Sequence, residues 1–291
     1  MLRIRLLFFM TFFVSSVVNT QNKFDYVGGV KLNDSLIITY KVNFEENKGQ
    51  VKGYSITDIG GEHETRSNIF GEYNKDEKTL SFREIGIVYT KSPISQNDFC
   101  FLNTTLKNFV FGKTKKVRAN FIGLFSDNTE CINGELILST QEKAEQRVQK
   151  VVNKINNSKK ITDSVKQKLN EFNLMNVLKM NILKKDQTLS IFSKSSSIKL
   201  IVFDGGKLDG DEINIMINGE TILNNYRANK SEKIIVLELK NKKTSIVIKA
   251  NNEGEIAPNT VVVKLDDGTN EIKALSNLQT GETTQIDILR N

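Results

Sequence analysis

The sequence predicts a mainly β protein with an N-terminal antiparallel meander barrel, a basic helical connector and a C-terminal β-sandwich. Three observations support this prediction. Apolar and polar residues alternate with a period of two in many runs of residues 24–140 and 188–291, a pattern typical of half-buried strands. Between residues 141 and 187 the period becomes helical. After residue 188, turn signals recur about every ten residues, as they do in β-sandwiches.

Residues 1–20 have the arrangement of a secretory signal peptide. Arg3 and Arg5 precede an apolar run over residues 6–14, and small and polar residues follow through Thr20. The alternative, a membrane anchor, needs a longer apolar run to cross a bilayer comfortably. No cysteine follows the run, so we do not expect a bacterial lipid anchor. We expect cleavage after Thr20 and export to the periplasm, the cell surface or the extracellular space.

Residues 21–140 are predicted to form the barrel. Large side chains alternate with mostly polar ones from Leu36 to Phe44. Further strand-like runs cover residues 50–57, 64–73, 79–89, 99–111, 116–125 and 135–139. Short connections favour an antiparallel meander, and a meander of about seven strands usually closes into a barrel, which removes its edges. The pattern resembles small barrels of the avidin or lipocalin type, a likeness of architecture that implies no shared ligand.

The two cysteines of the chain, Cys100 and Cys131, both lie in this predicted barrel. An oxidising compartment permits them to pair. Such a bridge would stabilise the fold by about 3–4 kcal/mol, because it constrains the unfolded chain. Metal binding is a poorer alternative, since His63 is the only histidine and is distant in sequence.

Residues 141–187 are predicted to form a basic amphipathic helical connector. A first apolar stripe follows helical spacing at Ala144, Val148, Val151, Val152 and Ile155. A second stripe begins at Ile161 and extends towards Leu183. Eleven Lys and Arg outnumber five Asp and Glu over residues 141–186. This surface could contact an anionic membrane, but the interleaved acids favour a solvated face or a spacer, and nucleic acid is not an expected partner.

Residues 188–291 are predicted to form the sandwich. Apolar strand-like runs cover residues 188–192, 198–203, 212–217, 233–239, 245–250, 261–265, 271–275 and 282–289. Turn signals such as Asn218-Gly219 and Asp267-Gly268 separate several of these runs.

The loop between the second and third of these runs is the most distinctive chemical feature of the chain. It contains Asp204, Asp209 and Asp211 together with three glycines. Calcium prefers carboxylate oxygens, and the glycines permit a tight loop, so the three aspartates are a candidate calcium site. A second loop, residues 251–260, could complete it with amide and carboxylate oxygens. The spacing is not that of an EF-hand, and the alternative is a turn whose aspartates cap their own backbone.

Two segments carry a resemblance to a known group of proteins. Residues 204–219, with the core Asp209-Gly210-Asp211, and residues 250–260, which end in Pro258-Asn259-Thr260, resemble a C-terminal module of secreted proteins from Bacteroidetes-type bacteria. The N-terminal half, with Phe82-Arg83-Glu84, also resembles domains of that group. The resemblance implies export and a two-domain fold with a C-terminal β-sandwich. It implies no activity, because the group has none that is settled.

Glu84 is a candidate ligand-binding residue. Leu80, Phe82 and Glu84 share one face of a predicted strand, which would carry a carboxylate into the barrel. There it would need a partner such as Arg66, because an unpaired buried charge is costly, and it could anchor a ligand at the barrel mouth. Alternatively, a bulge near Gly86 would turn Glu84 towards solvent.

The residue types argue against ordinary catalysis. With one histidine and no cysteine beyond the expected pair, the chain offers no Ser-His-Asp or Cys-His arrangement beyond His63 itself. It also lacks tryptophan, which many sugar-binding clefts use. We therefore expect an exported non-enzymatic binding or scaffold protein, whose partner is an unidentified protein or envelope component. The alternatives are a small-ligand carrier that uses the barrel and an envelope glycan hydrolase with paired carboxylates.

Overall fold

A computed structural model of the chain describes residues 22–290 except 34, 94–97, 159, 164–165, 167–179 and 206–207. The described residues form eighteen strands and one α-helix. The N-terminal strands are β1 (Asn22–Lys31), β2 (Ile37–Asn47), β3 (Gln50–Thr57), β4 (Thr65–Asn74), β5 (Thr79–Thr90), β6 (Phe101–Leu106), β7 (Lys116–Leu124) and β8 (Glu130–Thr140). The helix α1 spans Gln141–Asn156. The C-terminal strands are β9 (Asn181–Leu183), β10 (Thr188–Ser193), β11 (Ser197–Asp204), β12 (Glu212–Ile217), β13 (Glu220–Arg227), β14 (Lys233–Glu238), β15 (Lys243–Ala250), β16 (Val261–Asp266), β17 (Glu271–Ser276) and β18 (Thr283–Arg290).

Strands β1–β8 form an eight-stranded antiparallel barrel, which confirms the predicted meander. Each strand pairs with the next along the chain, and β1 also pairs with β8. The register places Gly28 opposite Tyr40 on one side and Leu138 on the other. The sequence pattern did not single out β1, because Gly28-Gly29 interrupts its apolar alternation. The ring of strands is closed between β5 and β6 over Leu80–Arg83 and Asn103–Leu106.

Large side chains fill the inside of the barrel. Tyr40, Val42 and Phe44 on β2 are completely buried. The ring of Phe44 packs edge-on against Phe82, with ring centroids 5.1 Å apart, and 6.0 Å from the ring of Tyr26. A small-ligand carrier would keep these inward positions clear, so the packed rings count against that alternative.

The C-terminal strands form two five-stranded layers that enclose one hydrophobic core, as expected for a sandwich. One layer has the order β13-β12-β15-β18-β10, and the other has the order β14-β11-β16-β17-β9. Ile213 and Ile286 from the first layer share a cluster with Leu200 and Val263 from the second. The pairs β10–β18 and β9–β17 are parallel, whereas the remaining pairs within the layers are antiparallel.

Strand β5 belongs to both parts of the molecule. Its first residues, Leu80 to Arg83, pair with β6 and close the barrel. Its last residues, Tyr89 and Thr90, pair with β10 of the sandwich. Val88 and Tyr89 also pack into the sandwich core. The barrel and the first sandwich layer therefore form one continuous thirteen-stranded sheet.

The connector is only partly described. Helix α1 coincides with the first predicted stripe, and none of its residues is fully buried. Most of the second predicted stripe, including Val165, Leu169 and Phe172, lies outside the described residues. Leu183 was predicted to extend that stripe, and this is wrong: it lies in β9 and is buried in the sandwich core. A strand of three residues is too short to show a period in the sequence. Among the described residues, no helix is long and apolar enough to cross a membrane.

Candidate functional site

The two cysteines form the predicted disulfide. Cys100 precedes β6 and Cys131 lies in β8, and their Cα atoms are 6.0 Å apart. The bridge ties two strands that are each adjacent to β7 in the barrel wall. It closes a loop with a sequence separation of 31 residues.

Glu84 lies inside the barrel and accepts hydrogen bonds from three neighbouring strands. The hydroxyl groups of Tyr40 and Ser55 donate to Oε1 over 3.0 and 2.5 Å, and the amide of Leu102 donates to Oε2 over 2.8 Å. Burial raises the pKa of the Glu84 carboxyl, while the hydrogen bonds from Leu102, Ser55 and Tyr40 act to lower it. The side chain also borders a cavity of about 430 Å³ next to Gly86.

Two expectations for Glu84 are wrong. The residue is only 7% exposed, so it does not turn out to solvent near Gly86. Its partner is not Arg66, because Ser67 and Ile69 point inwards on β4 and the alternation leaves Arg66 on the outer face. Arg66 instead lies over the ring of Tyr54, with the guanidinium carbon 4.1 Å from the ring centroid.

The acidic loop is bound directly to the second loop, as the sequence predicted for the two segments. The amide of Ile256 donates to Oδ2 of Asp209 over 3.2 Å, and the amide of Thr260 donates to Oδ2 of Asp211 over 2.7 Å. Asn252 adds a third link, because its Oδ1 accepts a hydrogen bond from the amide of Glu212 over 2.7 Å. These aspartates therefore cap the backbone of the second loop rather than only their own.

The same two aspartates each keep one oxygen without a partner. Oδ1 of Asp209 and Oδ1 of Asp211 are buried and make no hydrogen bond within the described structure. Burial raises the pKa of the Asp211 carboxyl, and the nearby charges of Asp209 and Asp204 add to this, whereas the hydrogen bonds from Thr260 lower it. Buried polar atoms without partners are rare in proteins. The two oxygens therefore need a cation or water.

Asp204 has a different environment. Its Oδ1 lies 3.4 Å from Nζ of Lys230, which also donates to the Asp204 carbonyl over 3.2 Å. The lysine compensates the charge of this carboxylate. Among the described residues, no group of three or more His, Cys, Asp and Glu side chains is placed to hold a metal ion. A cation at this loop would therefore need neutral oxygen ligands besides Asp209 and Asp211.

His63 does not belong to a catalytic triad in the described structure. Its Nδ1 lies 3.3 Å from Oγ of Ser92. The carboxylate of Asp58 accepts a hydrogen bond from the backbone amide of His63 rather than from its ring. The imidazole is exposed and, within the described residues, no acidic side chain orients it.

A cavity of about 460 Å³, which we call the junction cavity, lies where the barrel meets the sandwich. Its lining residues are Lys23, Lys41, Tyr54, Ile56, Ile59, Glu64, Arg66, Tyr89, Met180, Asn181 and residues 269–273. The sequence does not indicate this site, because its residues come from distant segments that only the fold brings together. Neither charge nor spacing along the chain could have indicated it.

Several buried polar groups surround the junction cavity. The Glu64 carboxylate accepts hydrogen bonds from the hydroxyl of Tyr89 over 2.9 Å and from the amide of Gly60 over 2.6 Å. Burial raises the Glu64 pKa, and the charge of Lys91 lowers it. Burial also lowers the pKa of Lys91, whose Nζ donates to the carbonyl of Ile182 over 2.8 Å.

Comparisons with known proteins do not identify the chain. No protein-family model matches the sequence, and no match was found among curated proteins or solved structures. The resemblance to secreted proteins of Bacteroidetes-type bacteria gains no support from them and stays a prediction. The function proposed below therefore rests on the geometry of the described residues and on the sequence of residues 1–20.

Proposed function

We propose that the protein is an exported, non-enzymatic binding protein whose C-terminal loops are fixed by a calcium ion. The observation that carries this proposal is the pair of buried, unpartnered oxygens of Asp209 and Asp211. Leaving such oxygens without partners costs about 1–3 kcal/mol each, and more when the carboxylates are charged. Calcium binds oxygen ligands in flexible geometry, which suits this irregular loop junction.

Asp209 and Asp211 would supply the charged ligands of the ion. Neutral oxygens of the two loops and water would complete the six to eight ligands that calcium takes. Asp204 would add negative charge nearby, since its charge acts on Asp211, while Lys230 remains its direct partner. The ion would join the acidic loop more firmly to residues 251–260 and so present a rigid surface to a protein or envelope partner.

Export is supported by two independent features. The disulfide between Cys100 and Cys131 suits an oxidising compartment, and residues 1–20 have the order of charged, apolar and polar segments found in signal peptides. The non-enzymatic part of the proposal rests on the single exposed histidine and on the hydrogen bonds that already occupy both oxygens of Glu84.

Thermal unfolding of the full chain in calcium and in excess chelator tests the calcium ion. The full chain is needed, because β10 of the sandwich pairs with β5 of the barrel. Calcium at about a hundred times its Kd should stabilise the folded state by about 2.7 kcal/mol, which raises Tm by several degrees in a chain of this size. The rise should disappear in Asp209→Asn/Asp211→Asn and persist in Asp76→Asn, an exposed turn residue of the barrel. Identical Tm values in calcium and in chelator would refute the proposed calcium site.

A further inference from the structure

We propose that the junction cavity binds a small organic anion whose charged group is held by Arg66 and whose hydroxyl group meets Asn181. The shared chemistry is a carboxylate or a phosphate on a hydroxylated molecule of sugar size. This site lies at the boundary between the barrel and the sandwich. The proposal does not depend on calcium binding to the acidic loop.

The position of the cavity suits a ligand that joins two parts of one protein. Its walls come from the outer face of the barrel, through Tyr54 and Arg66, and from the sandwich, through Asn181 and Lys273. A volume of about 460 Å³ lies within the range of small-molecule sites, which often occur between domains. Tyr89 lines the cavity and also pairs with Ile191 of β10, so a bound ligand would also stabilise the contact between the barrel and the sandwich.

The charge of the lining favours an anion. The lining contains Lys23, Lys41, Arg66 and Lys273 together with Glu64 and Glu271. Lys23 pairs with Glu45 at 2.8 Å, and Lys41 lies 4.0 Å from Asp25. Lys273 pairs with Glu271 at 3.0 Å. Arg66 makes no ion pair among the described residues, and its Nη1 donates only to the carbonyl of Glu271 over 3.2 Å.

Unsatisfied polar atoms give a second, independent argument. Asn181 is 2% exposed and lines the cavity, yet neither its Nδ2 nor its Oδ1 makes a hydrogen bond of good geometry, although the amide lies beside the Tyr89 hydroxyl. Nε of Arg66 is also buried without a partner. Buried groups of this kind normally have partners. An anionic oxygen would accept from Arg66, and a hydroxyl could both donate to and accept from Asn181.

The orientation of Arg66 is set before a ligand arrives. Its guanidinium group lies over the ring of Tyr54 at 4.1 Å and is tied to the Glu271 carbonyl. A guanidinium held in this way can bind a carboxylate or a phosphate through paired hydrogen bonds with little loss of side-chain freedom. The neighbouring Glu64 accepts hydrogen bonds from Tyr89 and Gly60 and, within the described residues, makes no ion pair with Arg66.

Intrinsic tyrosine fluorescence provides a direct measurement. The chain has no tryptophan and six tyrosines, of which Tyr54 and Tyr89 line the cavity. We would titrate the full chain with glucuronate, glucose 6-phosphate and neutral glucose in chelator at physiological salt. We expect saturable binding of one or both anions and none of glucose. Glucuronate alone would identify the charged group as a carboxylate, and glucose 6-phosphate alone would identify a phosphate.

Variants of two lining residues distinguish binding in the junction cavity from general attraction of an anion to a basic protein. Arg66→Gln and Asn181→Leu should each weaken binding at least about tenfold, as expected for the loss of a hydrogen bond to a charged or buried group. Arg118→Gln is the matched control, because Arg118 is an exposed arginine elsewhere on the barrel that pairs with Glu135. It should bind like the wild type. Arg66→Lys keeps the charge and serves if Arg66→Gln does not fold; it should also bind more weakly.

Three results would overturn the proposal. The first is no response to either anion up to tens of millimolar. The second is equal binding of glucose, which would remove the requirement for charge. The third is an equal loss of affinity in Arg118→Gln and Arg66→Gln, which would show only unspecific attraction to a basic protein.

Discussion

The hydroxyl of Tyr40 donates a hydrogen bond of 3.0 Å to Oε1 of Glu84 across the inside of the barrel. With Ser55 and Leu102 bound to the same carboxyl, a single side chain links β2, β3 and β6 to β5. We expect Glu84→Ala to reduce the free energy of unfolding by about 3 kcal/mol or more, because it leaves three buried donors without an acceptor. Denaturant unfolding measures this loss. Glu72→Gln, an exposed change on the barrel, should have almost no effect, and equal losses would contradict the role of Glu84.

The Glu84 carboxyl should also contribute to the pH dependence of the free energy of unfolding. Burial raises the pKa of Glu84 above its ordinary value of 4.5, so the folded state holds this proton more tightly than the unfolded state. The corresponding stabilisation is fully present below the unfolded pKa and is lost as the pH rises through the folded pKa. Glu84→Gln cannot titrate, so its unfolding free energy should fall less between pH 4 and 7 than that of the wild type.

The comparison with Glu84→Gln is needed because other carboxyls act in the opposite direction. Asp287 is buried, yet the hydrogen bonds from Lys243, Ser245 and Gln285 lower its pKa. Its contribution is present above the unfolded pKa and is lost as the pH falls through the folded pKa. Subtracting the unfolding free energy of Glu84→Gln from that of the wild type at each pH cancels the contribution of Asp287. Parallel curves for wild type and variant would show that Glu84 does not titrate differently in the folded state.

Reduction of the disulfide should destabilise the whole fold. A bridge with a sequence separation of 31 residues contributes about 3–4 kcal/mol in the chain-entropy model. Reductant or Cys100→Ala/Cys131→Ala should therefore lower Tm markedly and by similar amounts. Reductant should have no further effect on the variant. If reductant left the wild-type Tm unchanged, the bridge would not support the folded state.

Gly53 and Gly219 both have positive φ angles, but only Gly53 lies close to other atoms. Substitutions at the two positions therefore separate the cost of a steric clash from the cost of an unfavourable backbone angle. Gly53 has φ of +148°, and a Cβ there would overlap the carbonyl oxygen of Asn43 on the adjacent strand. Gly219 has φ of +87° in an open turn with nothing within 4 Å. Gly219→Ala should cost about 1–2 kcal/mol, the cost of an unfavourable backbone angle alone. Gly53→Ala should cost considerably more in denaturant unfolding; equal costs would mean that β2 can move away.

The shared strand predicts that the barrel and the sandwich unfold together. Tyr89 packs into the sandwich core and pairs with Ile191, although it belongs to a barrel strand. We expect one calorimetric transition for the full chain, and no cooperative melting for the isolated fragment 180–290, which keeps β9 but lacks β5. A fragment that melts at the Tm of the full chain would show that the sandwich does not need β5.

The sequence predicted what depends on local pattern. The period-two alternation at Leu80, Phe82 and Glu84 offered an inward carboxylate as one of two possibilities, and the structure decides for it over the turn to solvent. The two cysteines form the expected bridge. The helical spacing from Ala144 to Ile155 correctly placed α1. These features follow from side-chain direction, which alternates in strands and repeats every 3.6 residues in helices.

Features that depend on distant pairing could not be predicted. Charge made Arg66 a suitable partner for Glu84, but strand alternation places it on the outer face of the barrel. Lys230, the partner of Asp204, lies 26 residues away in a segment without any motif. The junction cavity brings Tyr54 and Arg66 of the barrel together with Asn181 of the sandwich, and no property of these residues along the chain indicates the others.

The shared strand also has a consequence for how the protein is made. Tyr89 is synthesised roughly 100 residues before Ile191, its partner in β10, which corresponds to roughly 5–20 s at usual rates of translation. During that interval a nascent barrel exposes one end of β5, with Val88 and Tyr89 still uncovered. An unpaired apolar edge of this kind attracts other strands. A barrel that folds before the C-terminal strands are in place should therefore be prone to aggregate, and we expect the same of a truncation after α1.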